Sequence, residues 1–264
     1  MVGLVTTFSA LLQRELHGNP GRPLVTFYDV ATGERTELSV TTYANWVAKT
    51  ASLLVEEHDL ERGDTLVVDL PTHWLAPVVL GAAWTVGLRV VLAGGLGAGP
   101  LGAAADEADA VVCGAPTLEE WAPRAGDVPV LASALLPLGV RFREPVPADV
   151  VDLGVAVWSQ PDAFAPYDPP TGEDEAVLDP AGGPAPTQSQ VLGAAAAGSL
   201  LPDGGRLLAE LSPASPAGLG SFVEPLARSG SLVLVAGADA ERLAALAGDE
   251  RVDAWHPASG AGRG

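Results

Sequence analysis

The chain has 264 residues, 48% of them hydrophobic with long Ala, Val and Leu runs, enough for a sizeable core in one large domain or two small ones. Its formal net charge of −19 argues against nucleic acid and anionic membrane surfaces as partners, because both select basic patches. A single cysteine, Cys113, excludes a disulfide framework and a cysteine-based metal site, and its apolar context reads as a small core residue in a reducing cytoplasm.

Leu4, Phe8, Leu11, Leu12 and Leu16 recur at helical spacing, which predicts an amphipathic helix over about the first seventeen residues. No basic region precedes these apolar residues, so a signal peptide is not expected. Residues 24–30 and 35–40 are β-rich runs joined by Ala31-Thr32-Gly33-Glu34, a predicted hairpin. Thr41 or Thr42 starts a second helix, with Trp46, Thr50, Leu53 and Leu54 on one face. A strand over 65–70 follows, broken by Pro71, after which Thr72 can cap a helix over 74–84; Gly87 ends it and 89–93 is another buried strand. At these lengths the unit is a right-handed βαβ crossover, so the sheet is at least partly parallel. Residues 74–93 are long enough to span a bilayer, yet Pro77, Gly81, Gly87 and Arg89 fit a buried α/β unit better, which predicts a soluble protein.

Short strands are expected at 110–113 and 128–131, and residues 126–186 are proline-rich, with 161–170 a loop. A strand at 176–178 enters a Gly/Pro loop, and Thr187 can cap a helix over 188–199. Strands at 207–211 and 232–236 and helices at 218–228 and 240–247 complete the pattern. The expected fold class is α/β, a mostly parallel sheet flanked by helices. Residues 1–257 form one domain, in two βα halves of about 1–125 and 175–257 joined by the proline-rich segment, and 258–264 are a flexible tail.

The text SVTTYANWVAKTASLLVEE, then ERGDTLVVDLPTHW, then GAAWTVGLRVV resembles the opening of the adenylate-forming (AMP-binding) superfamily, which includes acyl-CoA synthetases. A second stretch, RLLAELSPASPAGLGSFVEPLARSGSLVLV, resembles the part of the same domain where a strand, a Pro-containing loop and a helix succeed one another. Both matches are patterns of fold, in the family's order. The resemblance implies a phosphate loop between them, rich in Ser, Thr and Gly and ending Pro-Lys-Gly. Here that text is DPAGGPAPTQ, and aligning Pro186 with the motif's proline puts Thr187 at the lysine and Gln188 at the following glycine.

Such a loop grips pyrophosphate through backbone N–H groups, hydroxyls and one cation. Pro180, Pro184 and Pro186 remove backbone donors, no hydroxyl lies between Asp179 and Pro186, and Asp179 would repel phosphate. The candidate cofactor-binding positions are thus Asp179, Gly182, Gly183 and Thr187, as a degenerate phosphate loop. Lys49 is the one lysine in the chain, so the family's loop lysine and its C-terminal catalytic lysine both lack a counterpart. The family's aromatic–His pair would fall near Ala214-Ser215, without the histidine. The same resemblance places the family's adenine-binding and Mg-binding motifs and its mobile C-terminal domain beyond residue 264, so a truncated first half is expected.

His17, His58, His73 and His256 show no ligand spacing, and no metal site is expected. His73 and Trp74 follow a parallel strand, where α/β proteins bind ligands, and are either packing residues at a helix start or part of a ligand pocket. Asp69 reads as a buried, hydrogen-bonded carboxylate without an acid/base partner. Ser212 and Ser215 have no histidine near them in sequence. Residues 94–99 (GGLGAG) lack the G-x-G-x-x-G spacing of a dinucleotide site and read as a flexible loop. No catalytic residue is assigned.

The expectation is a non-catalytic, cytoplasmic relative of adenylate-forming enzymes with a binding or partner role and no cofactor, AMP or ATP being the alternative. Two further readings stay open. One is a divergent or split adenylating enzyme completed by another chain. The other is a module sensing an acyl or nucleotide ligand near His73 and Asp179. High Ala, Gly and Arg-over-Lys usage suggests a bacterial source.

Overall fold

The structure is a computed structural model and describes residues 6–256; Leu4 and the expected tail at 258–264 lie outside the described residues. Helix α1 (Phe8–Gly18) starts at Phe8 because Thr7 is extended and its side chain accepts the Ala10 N–H. Strands β1 (Pro23–Asp29) and β2 (Glu34–Ser39) form the predicted antiparallel hairpin. Helix α2 (Val40–Ser52) is capped by Ser39, whose hydroxyl accepts the Thr42 N–H, two residues before the first of the threonines that the sequence suggests. It runs on into a π turn, Leu53–Glu57.

Strand β3 (Thr65–Asp69), helix α3 (Leu75–Val86) and strand β4 (Arg89–Leu92) make the expected βαβ unit, with β3 and β4 parallel and Gly87 left-handed at φ 98°. Thr72 does not cap α3; its hydroxyl donates to the Glu210 carbonyl at 2.7 Å. Then come α4 (Ala103–Asp106), β5 (Ala110–Gly114), α5 (Leu118–Trp121), β6 (Val130–Ser133), β7 (Val150–Asp152) and α6 (Leu153–Ala156). After the proline-rich loop follow β8 (Val177–Leu178), α7 (Gln188–Ala196), β9 (Arg206–Ala209) and α8 (Leu219–Ala227). Strand β10 (Ser231–Ala236), helix α9 (Ala240–Asp249) and strand β11 (Ala254–His256) close the described chain.

The sequence predicts one sheet, and the strands divide between two. A six-stranded sheet has the order β7-β6-β5-β3-β4-β8, parallel throughout. A five-stranded sheet has the order β11-β9-β10-β1-β2, with β2 antiparallel to β1. The halves of the sequence therefore interleave: the N-terminal hairpin joins the C-terminal strands through β1–β10, and β8 returns to β4. Among the described residues no helix is long and apolar enough to cross a membrane.

Every residue of α3 is buried. Its cover comes from the first sheet's β3 and β4 on one side and from α1 and α2 on the other, with Phe8 against Trp84 and the Tyr43 hydroxyl donating to the Pro77 carbonyl at 2.8 Å. Gly81 makes this approach possible. A Cβ there would lie 2.3 Å from the Tyr43 hydroxyl and 2.8 Å from the Phe8 ring. Alanine is the better helix former by about 1 kcal/mol. Gly81→Ala should nonetheless destabilise the chain by about 1–3 kcal/mol, because overpacking outweighs propensity; urea unfolding at constant m-value checks it.

Glu15, 4% exposed, takes hydrogen bonds from Arg22 at 2.7 Å, Arg14 at 2.8 Å and Ser229 at 3.0 Å. Burial alone would raise its pKa; the Arg22, Arg14 and Ser229 bonds outweigh that and hold it below the usual carboxylate value. A lowered folded pKa adds stability above the unfolded value, near 4.5, and loses it as pH falls through the folded one. Glu15→Gln should therefore flatten the acid limb of a stability-versus-pH curve below that value, while lowering stability at neutral pH.

Candidate functional site

In a parallel sheet, ligands collect outside the carboxyl ends of the strands. Three segments meet that description here: Leu70–Trp74 after β3, the Gly94–Gly99 loop after β4, and Asp179–Thr187 after β8. The end of the second sheet closes over the first two. The Ser212 hydroxyl donates to the Leu70 carbonyl at 2.7 Å, and Gly94 packs against Ser215.

His73 and Trp74 are 3% and 1% exposed. The His73 ring packs on Phe27 of β1 at 4.8 Å and on Trp74 at 5.4 Å. Its Nδ1 accepts the Leu75 N–H at 3.2 Å, so the proton of the neutral ring sits on Nε2, which has no partner among the described residues. Burial pushes its pKa down to about 3, against a small opposing pull from Asp29. The ring packs the seam between the two sheets, against Phe27 of one and Trp74 beside the other.

The Gly94–Gly99 loop is held, not free. Asp69, fully buried at the end of β3, accepts the Gly95 N–H at 2.7 Å, the Gly97 N–H at 3.2 Å and the Trp121 indole N–H at 2.8 Å. Glu120 accepts the Ala98 N–H at 3.0 Å, and Gly97 holds a left-handed backbone at φ 79° that favours glycine. Successive loop amides of this kind are an anion-binding concavity. Here the chain's own carboxylates occupy it. Burial, with Asp69 nearby, pushes the Cys113 thiol up to about 12, so it is inert.

Asp179, Gly182 and Gly183 lie in an exposed loop between β8 and α7. The Asp179 carboxylate accepts the Ala181 N–H at 2.9 Å, and its carbonyl accepts the Gly182 N–H at 2.9 Å. Thr187 caps α7 as the sequence predicts, in a capping box with Gln190. The first three amides of α7 are all taken: Gln188 N–H by the Asp174 carbonyl at 2.8 Å, Ser189 N–H by the Gly172 carbonyl at 2.9 Å, and Gln190 N–H by the Thr187 hydroxyl at 3.4 Å. Lys49 is far from this loop in its contacts, pairing with Asp162 at 3.1 Å and donating to the Gln160 carbonyl. Among the described residues no group of His, Cys, Asp and Glu could hold a metal ion.

Gln188 has a role the sequence did not announce. It is 2% exposed; its Oε1 accepts the Phe8 N–H at 2.9 Å and its Nε2 donates to the Trp84 carbonyl at 2.9 Å, tying α7 to the start of α1 and the end of α3. The larger cavities lie elsewhere. One of about 440 Å³ is walled by Leu60, Arg62, Val86 and Tyr167 at the amino ends of the strands, and one of about 540 Å³ follows β6.

No protein-family model matches the chain. It is 36% identical over 168 residues to a "TIGR03089 family protein" of Mycobacterium tuberculosis (strain ATCC 25618 / H37Rv), an alignment covering 61% of this chain and 63% of that protein. Among solved structures it is similar to an acyl-CoA synthetase of Brucella canis (TM-score 0.78, 18% identity, 95% of this chain and 47% of that one). It is also similar to the N-terminal domain of FACL13 from Mycobacterium tuberculosis (TM-score 0.68, 18% identity, 93% of this chain and 61% of that one). The chain thus spans about half the length of the synthetase and under two thirds of the curated relative. Its fold is that of the N-terminal part of an acyl-CoA synthetase, as the sequence resemblance implies.

At the position where that resemblance expects a glycine, the side chain of Gln188 spans a helix junction. Gln188→Ala would leave the buried Phe8 N–H and Trp84 carbonyl unpaired, for a loss of about 2–4 kcal/mol. Thermal or urea unfolding of the variant checks the figure, and hydrogen exchange should report faster opening at the start of α1.

Proposed function

We propose that the chain is a cytoplasmic, non-catalytic relative of the adenylate-forming enzymes, acting as a binding or partner protein without a nucleotide cofactor. The observation that carries this reading is the satisfied state of the strand–loop–helix junction at Asp179–Thr187. A triphosphate needs free N–H donors at a helix start and at least one cation. Here the leading amides of α7 are bonded to Asp174, Gly172 and Thr187, the loop contributes a carboxylate, and the one lysine is engaged at Asp162. Asp179, Gly182, Gly183 and Thr187 then mark the place of a phosphate loop whose grip is lost, and His73 and Trp74 serve packing.

A second reading, a divergent or split adenylating enzyme that needs another chain, draws on the retained order of fold elements over 95% of the chain. One assay separates them. ATP–pyrophosphate exchange with the purified full chain should be at background for every carboxylic acid offered. Exchange that disappears when the 179–187 loop is mutated would overturn the proposal. Exchange that arises only on adding a co-purifying chain would establish the split enzyme instead.

A further inference from the structure

Residues 161–170 (PDAFAPYDPP) cross the face of the molecule formed by α1, α2 and the end of α3. Four of the ten are proline, and among the described residues no backbone group of this segment makes a hydrogen bond. Its polar attachments are two ion pairs. Lys49, on α2, pairs with Asp162 at 3.1 Å and donates to the carbonyl of Gln160, a buried residue where the segment begins. Arg62, ahead of β3, pairs with Asp168 at 3.2 Å and with Asp174, beyond the segment's end, at 2.7 Å. Between the two pairs Phe164 packs, part-buried, against the main core, while Tyr167 is 87% exposed.

The segment leaves a cavity on either side of itself. One of about 380 Å³ lies along Asp162–Pro166, against Leu12 and Leu16 of α1, Val47 of α2 and Thr85 of α3. The other, of about 440 Å³, lies along Pro166–Asp168, against Val55, Leu60 and Val86. Pro166 borders both, and the chain neighbours Thr85 and Val86 contribute one to each, so the segment partitions a single groove. Its hold there is contested. Asp168 shares the rim of the second cavity with Glu56, Asp59 and Glu61, like charges that push the segment off. Asp162 and Asp168 are 65% and 74% exposed, and ion pairs so open to water hold weakly. A segment without backbone hydrogen bonds opens locally at low cost.

We propose that residues 161–168 are a strap over this groove, latched by Lys49–Asp162 and Arg62–Asp168, with Phe164 as its plug. Lifting the strap withdraws Phe164 and joins the two cavities into one apolar groove along α1, α2 and the end of α3. Gln160 at one end and the Arg62–Asp174 pair at the other stay in place, so the movement needs no change in either sheet. The groove lies at the amino ends of the strands, and the inference is independent of whether the Asp179 loop binds a nucleotide.

The test is chymotrypsin cleavage after Phe164 in the full chain, with the product identified by mass. A Tyr167→Ser background leaves Phe164 as the strap's one chymotrypsin site. Asp162→Asn with Asp168→Asn removes both latches at exposed positions, so the melting temperature should stay within about two degrees. Cleavage should nonetheless run about three- to tenfold faster, the range expected for two exposed ion pairs. Lys49→Met should accelerate it as well. The neutral apolar dye N-phenyl-1-naphthylamine should bind the latch variant more tightly than the parent by a similar factor, and Phe164→Ala, which removes the plug, should do the same. Equal cleavage rates with and without the latches would overturn the proposal, as would rates that follow the melting temperature of each variant. Dye binding indifferent to both the latch and the plug variants would overturn it too.

Discussion

A helix with no polar face cannot sit on a surface. Leu75–Val86 is buried at every position, so the rest of the chain must enclose it. The parallel sheet supplies one wall and α1 with α2 the opposite one. Trp84 donates its indole N–H to the Ala176 carbonyl at 2.9 Å, which draws the returning β8 strand against the same helix. Helices and strands from both halves of the sequence complete the main core, from Phe8 and Tyr43 to Leu192 and Phe222.

The carboxyl ends of the strands are closed by the same economy of internal partners. Asp69 collects two loop amides and an indole, Glu120 a third amide, and Ser212 and Thr72 stitch the two sheets together across their facing loops. Each buried polar group that would otherwise seek water or a ligand has been given a protein partner, which is the cheaper state where a lost hydrogen bond costs about 1–3 kcal/mol. Among the described residues the exceptions at this end of the sheet include the Thr117 hydroxyl after β5, and Nε2 of His73 and Nε1 of Trp74, side by side among aromatic rings.

Periodicity and turn chemistry made much of the fold legible. The hairpin, the βαβ unit, the Thr187 cap and the strands around Val111 and Val233 follow from period-2 or fully apolar runs bounded by Gly, Pro and Asp. The short elements were hidden. Strand β7, helices α5 and α6 and strand β11 have three or four residues each, too few to show a period, and β7 and α6 lie in proline-rich text. The division into two sheets was also invisible, because pairing partners such as β1 and β10 are some two hundred residues apart and no local pattern records them. At the site, the poverty of the Asp179 loop in donors could be read from its prolines. The role of Gln188 could not, since a glutamine after a helix cap looks solvent-facing until α1 and α3 are placed beside it. For Asp69 a signal existed: a carboxylate ending an apolar strand, followed one strand later by GGLGAG, pairs an anion with a run of amides that can receive it.

A strand–loop–helix junction can hold a phosphate or cap itself, and the same amides cannot do both. In α7 the choice is made by Thr187 and Gln188 together. The threonine hydroxyl takes the third amide, and the register it imposes places the glutamine side chain into the α1–α3 joint, while the Asp174 and Gly172 carbonyls take the first two amides. Supplying a lysine at position 187 would therefore add a cation to a terminus whose donors remain occupied, and would delete the cap worth about 1 kcal/mol. Moving Gln188 to glycine would free the backbone and open the helix joint at once. The stability of this junction and a grip on a phosphate would be competing uses of one set of hydrogen bonds.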